Sequence, residues 1–228
     1  DICGKDKMDN PYIDQEKRDV NGFSRLQFKG IGRVELTQGD HEELVIEAPQ
    51  EVRERVHADV RDDTLVIYYE SDWKDWTGVR LLGGEKVVFH LMMREIKSLA
   101  LSGVGNLDAS RIEADALSLA LSGPGAITVG TLSVKSLDLA LSGVGSMDVA
   151  GSAPDLNVVI SGAGTVKAAR LEVERAVVKL SGVGTATLWA KQSLDTTISG
   201  AGVVEYYGSP VITQRNSGLG VLKYLGNR

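Results

Sequence analysis

Apolar and polar residues alternate through the second half of the chain with a period of two, the pattern of β-strands that bury one face. The alternation recurs about every 20 residues, which predicts several short strands in a repeating order. Helical spacing does not accompany it, so a leucine-rich repeat is disfavoured. The clearest apolar positions are Leu117, Leu119 and Leu121, then Leu137, Leu139 and Leu141, and then Leu156, Val158 and Ile160.

A Ser-Gly-x-Gly motif separates these strands and occurs seven times, with a degenerate copy that lacks the serine at residues 29–32. Its serines are 20, 20, 19, 20, 18 and 18 residues apart. Near-constant spacing at this length predicts an all-β solenoid in which each coil contributes two or three strands. The seven copies are residues 102–105, 122–125, 142–145, 161–164, 181–184, 199–202 and 217–220.

Each position of the motif has a mechanical interpretation. Pro124 at the variable position favours a type II turn, whose third residue needs a positive φ. The first glycine would leave room for the neighbouring coil, and the stacked serines would form a structural hydroxyl ladder, because no catalytic base accompanies them. The second glycines are therefore predicted to be structural turn residues: Gly105, Gly125, Gly145, Gly164, Gly184, Gly202 and Gly220.

The first part of the chain carries strand patterns without the strict repeat. Residues 1–18 are predicted to be a flexible N-terminal segment, and 19–228 a single β-solenoid domain. Within it, 19–95 would form irregular first coils and a cap, and 96–225 the repeat coils. Strands are predicted at 23–28, 32–37, 43–47, 64–69 and 87–93, with a helical turn within 49–56, a tight turn at Asp62-Asp63, and a polar C-terminal cap at Gln214, Arg215 and Asn216.

Composition narrows the possible functions. Of 228 residues, 5% are aromatic and 26 are Gly, which fits a thin, regular core. A net charge of -6 argues against nucleic-acid binding and against electrostatic attachment to anionic lipid. No run reaches the roughly 18 apolar residues of a membrane span.

The flanking residues resemble those of a bacterial family, the putative auto-transporter adhesins with a head GIN domain. The similar segments are 20–23, 30–40, 62–67 and 208–211, together with the Ser-Gly-x-Gly array, and they cover residues 19–225. The resemblance implies a right-handed parallel β-helix, export to the cell envelope, and no catalytic residues that could be transferred to this chain.

Two groups of residues are candidates for binding. Tryptophans beside acids can stack on sugars and hydrogen-bond their hydroxyls, although the same rings could simply cover an apolar end of the cap. Outward alanines on a strand suggest a partner or self-association surface, although they could equally form a flat solvated face. The first group is Asp72, Trp73, Asp75 and Trp76, and the second is Ala100, Ala120 and Ala140.

Catalytic and metal chemistry find little support in the sequence. Asp108 and Asp148 would lie about 10 Å apart on the outward row after the motif, near the upper limit for an inverting carboxylate pair. Like charges are not expected on adjacent coils of this row, and no arginine is expected on its face. The glycine motif lacks the lysine and helix of a phosphate-binding loop, and His41, His57 and His90 lack ligand spacing, so neither a cofactor nor a metal is expected.

The single cysteine, Cys3, excludes an internal disulfide and is a candidate lipid-attachment site, with an incidental thiol as the alternative. The expected location is secreted, periplasmic or on the outer surface. The expected function is a non-enzymatic, adhesin-like binding or scaffold module whose partner is a protein or glycan of the envelope, with homo-oligomers as a further option. The alternatives are a periplasmic structural or regulatory interaction domain and, less favoured, a polysaccharide-active enzyme.

Overall fold

A computed structural model describes residues 14–70 and 87–228. One short helix, α1 (Gln50–Arg53), accompanies the strands in these ranges. The strands are β1 (Asp14–Arg18), β2 (Arg25–Phe28), β3 (Ile31–Gln38), β4 (Glu43–Ala48), β5 (Val56–Arg61), β6 (Thr64–Tyr69), β7 (Val88–Met93), β8 (Ser98–Leu101), β9 (Val104–Leu121), β10 (Pro124–Leu141), β11 (Val144–Ser152), β12 (Asp155–Ile160), β13 (Ala163–Leu180), β14 (Val183–Ile198), β15 (Ala201–Tyr207), β16 (Val211–Asn216) and β17 (Val221–Gly226).

The repeat coils are three-sided and stack in parallel. In β9 the alternation of buried and exposed residues is interrupted by two exposed neighbours at 110–111 and again at 115–116. These interruptions are two corners, and the Ser-Gly segment is the third. Face 1 therefore carries Leu107, face 2 carries Ile112 and face 3 carries Leu119. Each coil begins at a motif serine and is named after it.

The core consists of apolar rows, a row being one position in successive coils. Leu119 pairs in register with Leu139, which pairs with Val158, and all three are buried. The predicted shared interior is therefore confirmed. Burial of each such side chain contributes about 1.5–3 kcal/mol. The whole row on face 3 is Leu65, Leu26, Leu99, Leu119, Leu139, Val158, Val178, Thr196 and Gln214.

The first coils are stacked in an order that differs from the order of the chain. Strand β2 lies between β6 and β8, and β3 lies between β7 and β9. Beyond them, β4 and β5 pair antiparallel with β7 and β6, and α1, which joins β4 to β5, buries Val52. The predicted helical turn is confirmed, and the antiparallel strands and α1 form the N-terminal cap.

Residues 14–18 differ from the flexible segment expected at the N-terminus. They form β1, which pairs antiparallel with β4 from Asp14 to Arg18. Lys17 Nζ lies 2.5 Å from Glu43 Oε2, and the Arg18 guanidinium donates to the Arg53 carbonyl at 2.6 Å. The polar side chains of this segment thus lie on the outer surface of a sheet edge.

The motif glycines permit close contact between coils. An added Cβ on Gly123 would lie 2.0 Å from the Gly103 carbonyl oxygen, and one on Gly184 would lie 1.9 Å from that of Gly164. The expected positive φ occurs at Gly105, Gly125 and Gly145, at 145°, 150° and 157°. The expectation is wrong for the other four second glycines: Gly164, Gly184, Gly202 and Gly220. Close backbone approach, rather than a left-handed turn, is therefore what the second glycines through Gly202 have in common.

In the Ser199 coil, strand β16 has polar residues at positions that are apolar in the earlier coils. Gln214 and Asn216 take inward positions beside Thr196 and Ile198, while Arg215 faces outward beside Thr197. All six residues of β16 are exposed. Within 14–70 and 87–228, no helix has the length and apolar character needed to cross a bilayer.

Candidate binding surfaces

Several residues that the sequence indicated as candidates lie outside the described ranges, so the structure gives them no geometry. They are Cys3, Asp72, Trp73, Asp75 and Trp76.

The three outward alanines stack in one row on face 3. Ala100 pairs with Ala120, and Ala120 pairs with Ala140. The row continues through Val159, and Ala140 is exposed whereas Ala100 and Ala120 are half-buried. Small side chains here leave the sheet surface flat, so another surface could approach its backbone closely.

The corner beside this row carries exposed serines and exposed apolar residues. All seven motif serines are exposed. In the described part of the chain, Ser102 is the only one whose hydroxyl donates a hydrogen bond, to the Phe28 carbonyl at 3.3 Å. At the variable position, Val144 and Val183 are 64% and 61% exposed, and Leu219 is 89% exposed. The serine hydroxyls and these apolar groups therefore face solvent.

Four adjacent rows at this corner form a surface that is almost free of charge, here called the ridge. Across seven coils, its only charged side chains are Lys179 and Arg215, although a quarter of the chain is charged. With about 4.8 Å between coils, the ridge is about 29 Å long. Its rows are Ala100, Ala120, Ala140, Val159, Lys179, Thr197 and Arg215; the seven motif serines; Val104, Pro124, Val144, Ala163, Val183, Ala201 and Leu219; and Asn106, Ala126, Ser146, Thr165, Thr185, Val203 and Val221.

On face 1, the row from Asp108 to Lys223 has no like charges on adjacent coils, as expected, and it continues one coil earlier to Glu35, a direct neighbour of Asp108. The face differs from the sequence expectation in its arginines. Arginines reach this face, because Arg33 Nε lies 3.0 Å from Asp108 and 3.5 Å from Glu35, and Arg170 lies 3.0 Å from Asp148. Arg33 offsets the repulsion between the two carboxylates, and both acids of the expected pair are ion-paired.

His90 lies on the same face between two glutamates. Its ring nitrogens are 3.2 Å from Glu35 and 3.1 Å from Glu47. Hydrogen bonds from Gln15 and then from His90 hold the pKa of Glu47 below its usual range. No three histidine, cysteine or acidic side chains within 14–70 and 87–228 are arranged to hold a metal ion.

A shallow groove of about 490 Å³ adjoins the ridge on face 1. Its lining mixes hydroxyls with charges of both signs, and it shares Thr165 and Thr185 with the ridge. The other lining residues are Asp148, Lys167, Ala169, Arg170, Thr187 and Glu205.

Two aromatic residues follow the groove on the same strands. Trp189 faces outward on β14, between the buried Leu188 and Ala190, and pairs in register with Tyr207 on β15. Sequence reasoning missed this pair. Both residues lie eight positions after a motif serine, Ser181 and Ser199, so alignment on the serines would have placed them side by side.

Comparison with known proteins identifies relatives of the same fold. A putative adhesin from Bacteroides fragilis has a TM-score of 0.86 and 22% identity, covering 93% of this chain and 97% of its own. A putative lipid binding protein from Parabacteroides distasonis has a TM-score of 0.69 and 19% identity, covering 95% and 98%. A putative adhesin from Parabacteroides merdae has a TM-score of 0.67 and 19% identity, covering 95% and 97%. No curated protein matches this chain.

The sequence also matches a family described as putative auto-transporter adhesin, head GIN domain, over residues 22–210. This range extends from just before β2 to just after β15, and so includes the N-terminal cap and most of the repeat. The chain therefore belongs to that family of adhesin-like head GIN domains.

Proposed function

We propose that this protein is a non-enzymatic, adhesin-like binding module of the cell envelope, which contacts a protein partner through the ridge. The exposed, uncharged corner of the stack is the observation that carries the proposal. Its rows combine apolar side chains with hydroxyls, and regions of low charge with exposed apolar groups are typical of protein-binding surfaces.

The rigid backbone beneath the ridge supports this role. Each strand from β9 to β14 is hydrogen-bonded on both sides, so the ridge would lose little conformational freedom on binding. The ion pairs of Asp108 and Asp148 favour a structural role for these acids, which supports a non-enzymatic function.

The test measures binding of the fluorescently labelled protein to intact cell envelopes. We expect saturable binding that falls at least about tenfold when Ala140→Arg and Val144→Lys place charges on the ridge. Thr131→Lys, which changes an exposed residue at the corner between faces 1 and 2, is the matched control and should bind like the wild type. Binding that all variants retain would contradict the role of the ridge, and the absence of saturable binding would contradict the function itself.

Self-association can be read from the same proteins. If the partner is a second copy of this chain, the sedimentation mass of the wild type will rise with concentration, and that of Ala140→Arg will stay monomeric. An oligomer that both proteins form equally would place the contact elsewhere.

A further inference from the structure

The groove on face 1 and the aromatic pair beside it are close enough to contact one small ligand. Thr187 and Trp189 lie two residues apart on β14 and face the same way, as do Glu205 and Tyr207 on β15. With the usual strand spacings, the Lys167 and Trp189 backbones are about 8 Å apart. A ligand of one to three sugar rings would span this distance.

The polar side of the groove offers both donors and acceptors. Thr187 donates to Glu205 at 3.2 Å, and Lys223 contacts the other oxygen of that carboxylate at 3.3 Å. Arg170 is paired with Asp148. Thr165 and Thr185 contribute further hydroxyls to the lining. Sugar hydroxyls both donate and accept hydrogen bonds, and this lining can satisfy both.

Lys167 is the one lining cation that lacks an acidic partner within 4 Å among the described residues, and it is exposed. It pairs with Thr187 on one side and Asp148 on the other in the strand register. A free ammonium in a groove where the other charges are paired favours a ligand that carries a carboxylate.

The aromatic pair provides an apolar platform at the end of the groove. Trp189 and Tyr207 are half-buried neighbours on the outer surface of the sheet. The Arg228 guanidinium lies 5.0 Å from the centre of the Tyr207 ring and donates to the Ala169 carbonyl at the edge of the groove. Aromatic faces stack on the C–H faces of sugar rings.

We infer that this groove binds an acidic oligosaccharide, with one ring stacked on Trp189 and a carboxylate directed to Lys167. The inference rests on the proposed binding function and specifies a glycan ligand for a surface next to the ridge. Hydroxyls of the sugar would bond to the threonines and to Glu205, and Arg170 would stay paired with Asp148.

The first experiment is a titration with oligogalacturonates and with their methyl esters, in which an uncharged methyl ester group replaces each carboxylate. We expect the wild type to bind the acid at least about tenfold more tightly than the ester, and Lys167→Gln to remove that preference. Equal binding of acid and ester by the wild type would overturn the assignment of Lys167. Sialylated and desialylated oligosaccharides form a second matched pair, and preference for either acidic series supports the inference.

The second experiment tests whether Trp189 or Trp73 contacts the sugar. Trp189→Ala should weaken binding about tenfold or more, while Trp73→Ala and the face 3 control Val177→Ala should bind like the wild type. Loss of binding in Trp73→Ala but not in Trp189→Ala would overturn the inference. Lys167→Gln changes an exposed side chain, so it keeps the test valid if Trp189→Ala does not fold.

Failure of the glycan inference can be distinguished from failure of the proposed binding function. A protein that binds cell envelopes through the ridge but binds no glycan, acidic or neutral, would overturn this inference alone. A protein that binds neither envelopes nor glycans would contradict both.

Discussion

At the motif glycines, the coils can stack because a hydrogen atom stands where any other residue would carry a Cβ atom. Gly184 separates this effect from backbone strain, because its φ lies outside the left-handed region while an added Cβ would lie 1.9 Å from a backbone oxygen. We expect Gly184→Ala to destabilise the protein by at least about 2 kcal/mol, since the neighbouring coil would have to move.

The adjacent residue provides the control for this substitution. Val183 is 61% exposed at the corner, so Val183→Ala should change the free energy of unfolding by less than about 0.5 kcal/mol. Chemical denaturation of both variants measures the difference. Equal stabilities would show that the coils separate easily and that the glycines serve another purpose.

A second residue-scale prediction concerns Thr196, whose side chain is fully buried in the apolar row of face 3. Its hydroxyl has no hydrogen-bond partner in the described part of the chain. Thr196→Val keeps the shape and removes the unsatisfied group, so we expect about 1 kcal/mol of stabilisation. Thermal unfolding should show a higher midpoint. The reverse change at the paired position of the preceding coil, Val178→Thr, should lower the midpoint. A lower midpoint for Thr196→Val would mean that the hydroxyl is satisfied in solution.

Sequence reasoning at this scale worked where one physical rule dominates. The inward positions were predictable because alternation forces every second side chain into the core. The glycine conformations were not, because Gly145 and Gly184 both end a Ser-Gly-Val-Gly sequence and yet only Gly145 has a positive φ. The pairing of Trp189 with Tyr207 was predictable in principle, since both follow a motif serine by the same interval.

Among the elements, the β5–β6 hairpin is hydrogen-bonded through its turn to the start of β2. Asp62 and Asp63 both adopt positive φ, at 48° and 64°, and connect the two strands. The Asp63 carboxylate accepts a 2.5 Å hydrogen bond from the Ser24 hydroxyl, and its backbone carbonyl accepts from the Ser24 and Arg25 amides. The turn thereby holds β6 beside β2.

This contact predicts a pH-dependent contribution to stability. The hydrogen bond from Ser24, assisted by Lys97 and Arg25, holds the pKa of Asp63 below its usual range. Because the folded pKa is lowered, the contribution is complete above the ordinary carboxyl pKa and is lost as the pH falls through the lowered value. Asp63→Asn should lower the denaturation midpoint at neutral pH, and the difference from the wild type should narrow in acid.

Asp62→Asn is the matched control, because asparagine tolerates the same backbone conformation and the described structure gives Asp62 no side-chain hydrogen bond. Its midpoint should follow that of the wild type at every pH. A difference between Asp63→Asn and wild type that stays constant into acid would contradict the role of the carboxylate charge.

The order of the elements shows where prediction from the sequence stops. The strands near 23–28, 32–37, 64–69 and 87–93 were predictable from alternation, and the hairpin turn from its two aspartates. Their stacking was not, because β2 pairs with β6 and with β8, which are far apart in the chain. The sequence pattern predicts which face of a strand points inward. It does not predict which strand lies beside it when no repeat fixes the register.

At the scale of the whole molecule, the stack is asymmetric. The N-terminal end is covered by antiparallel strands and α1, and the central coils have neighbours on both sides. Strand β16 pairs only with β14 among the described strands, and all its residues are exposed. Because each coil of a solenoid contacts only its neighbours, stability should be distributed along the axis.

Amide hydrogen exchange should therefore show a gradient of protection. We expect the slowest exchange in β9, β10 and β13, whose amides lie between two hydrogen-bonded neighbours, and the fastest in β16 and β17. The measurement is peptide-resolved exchange at low protein concentration, repeated at high concentration. Uniform protection would show that the stack opens as one cooperative unit. Protection of β16 that appears only at high concentration would mean that a second copy covers this edge, and the ridge would then have to compete with it as the self-association surface.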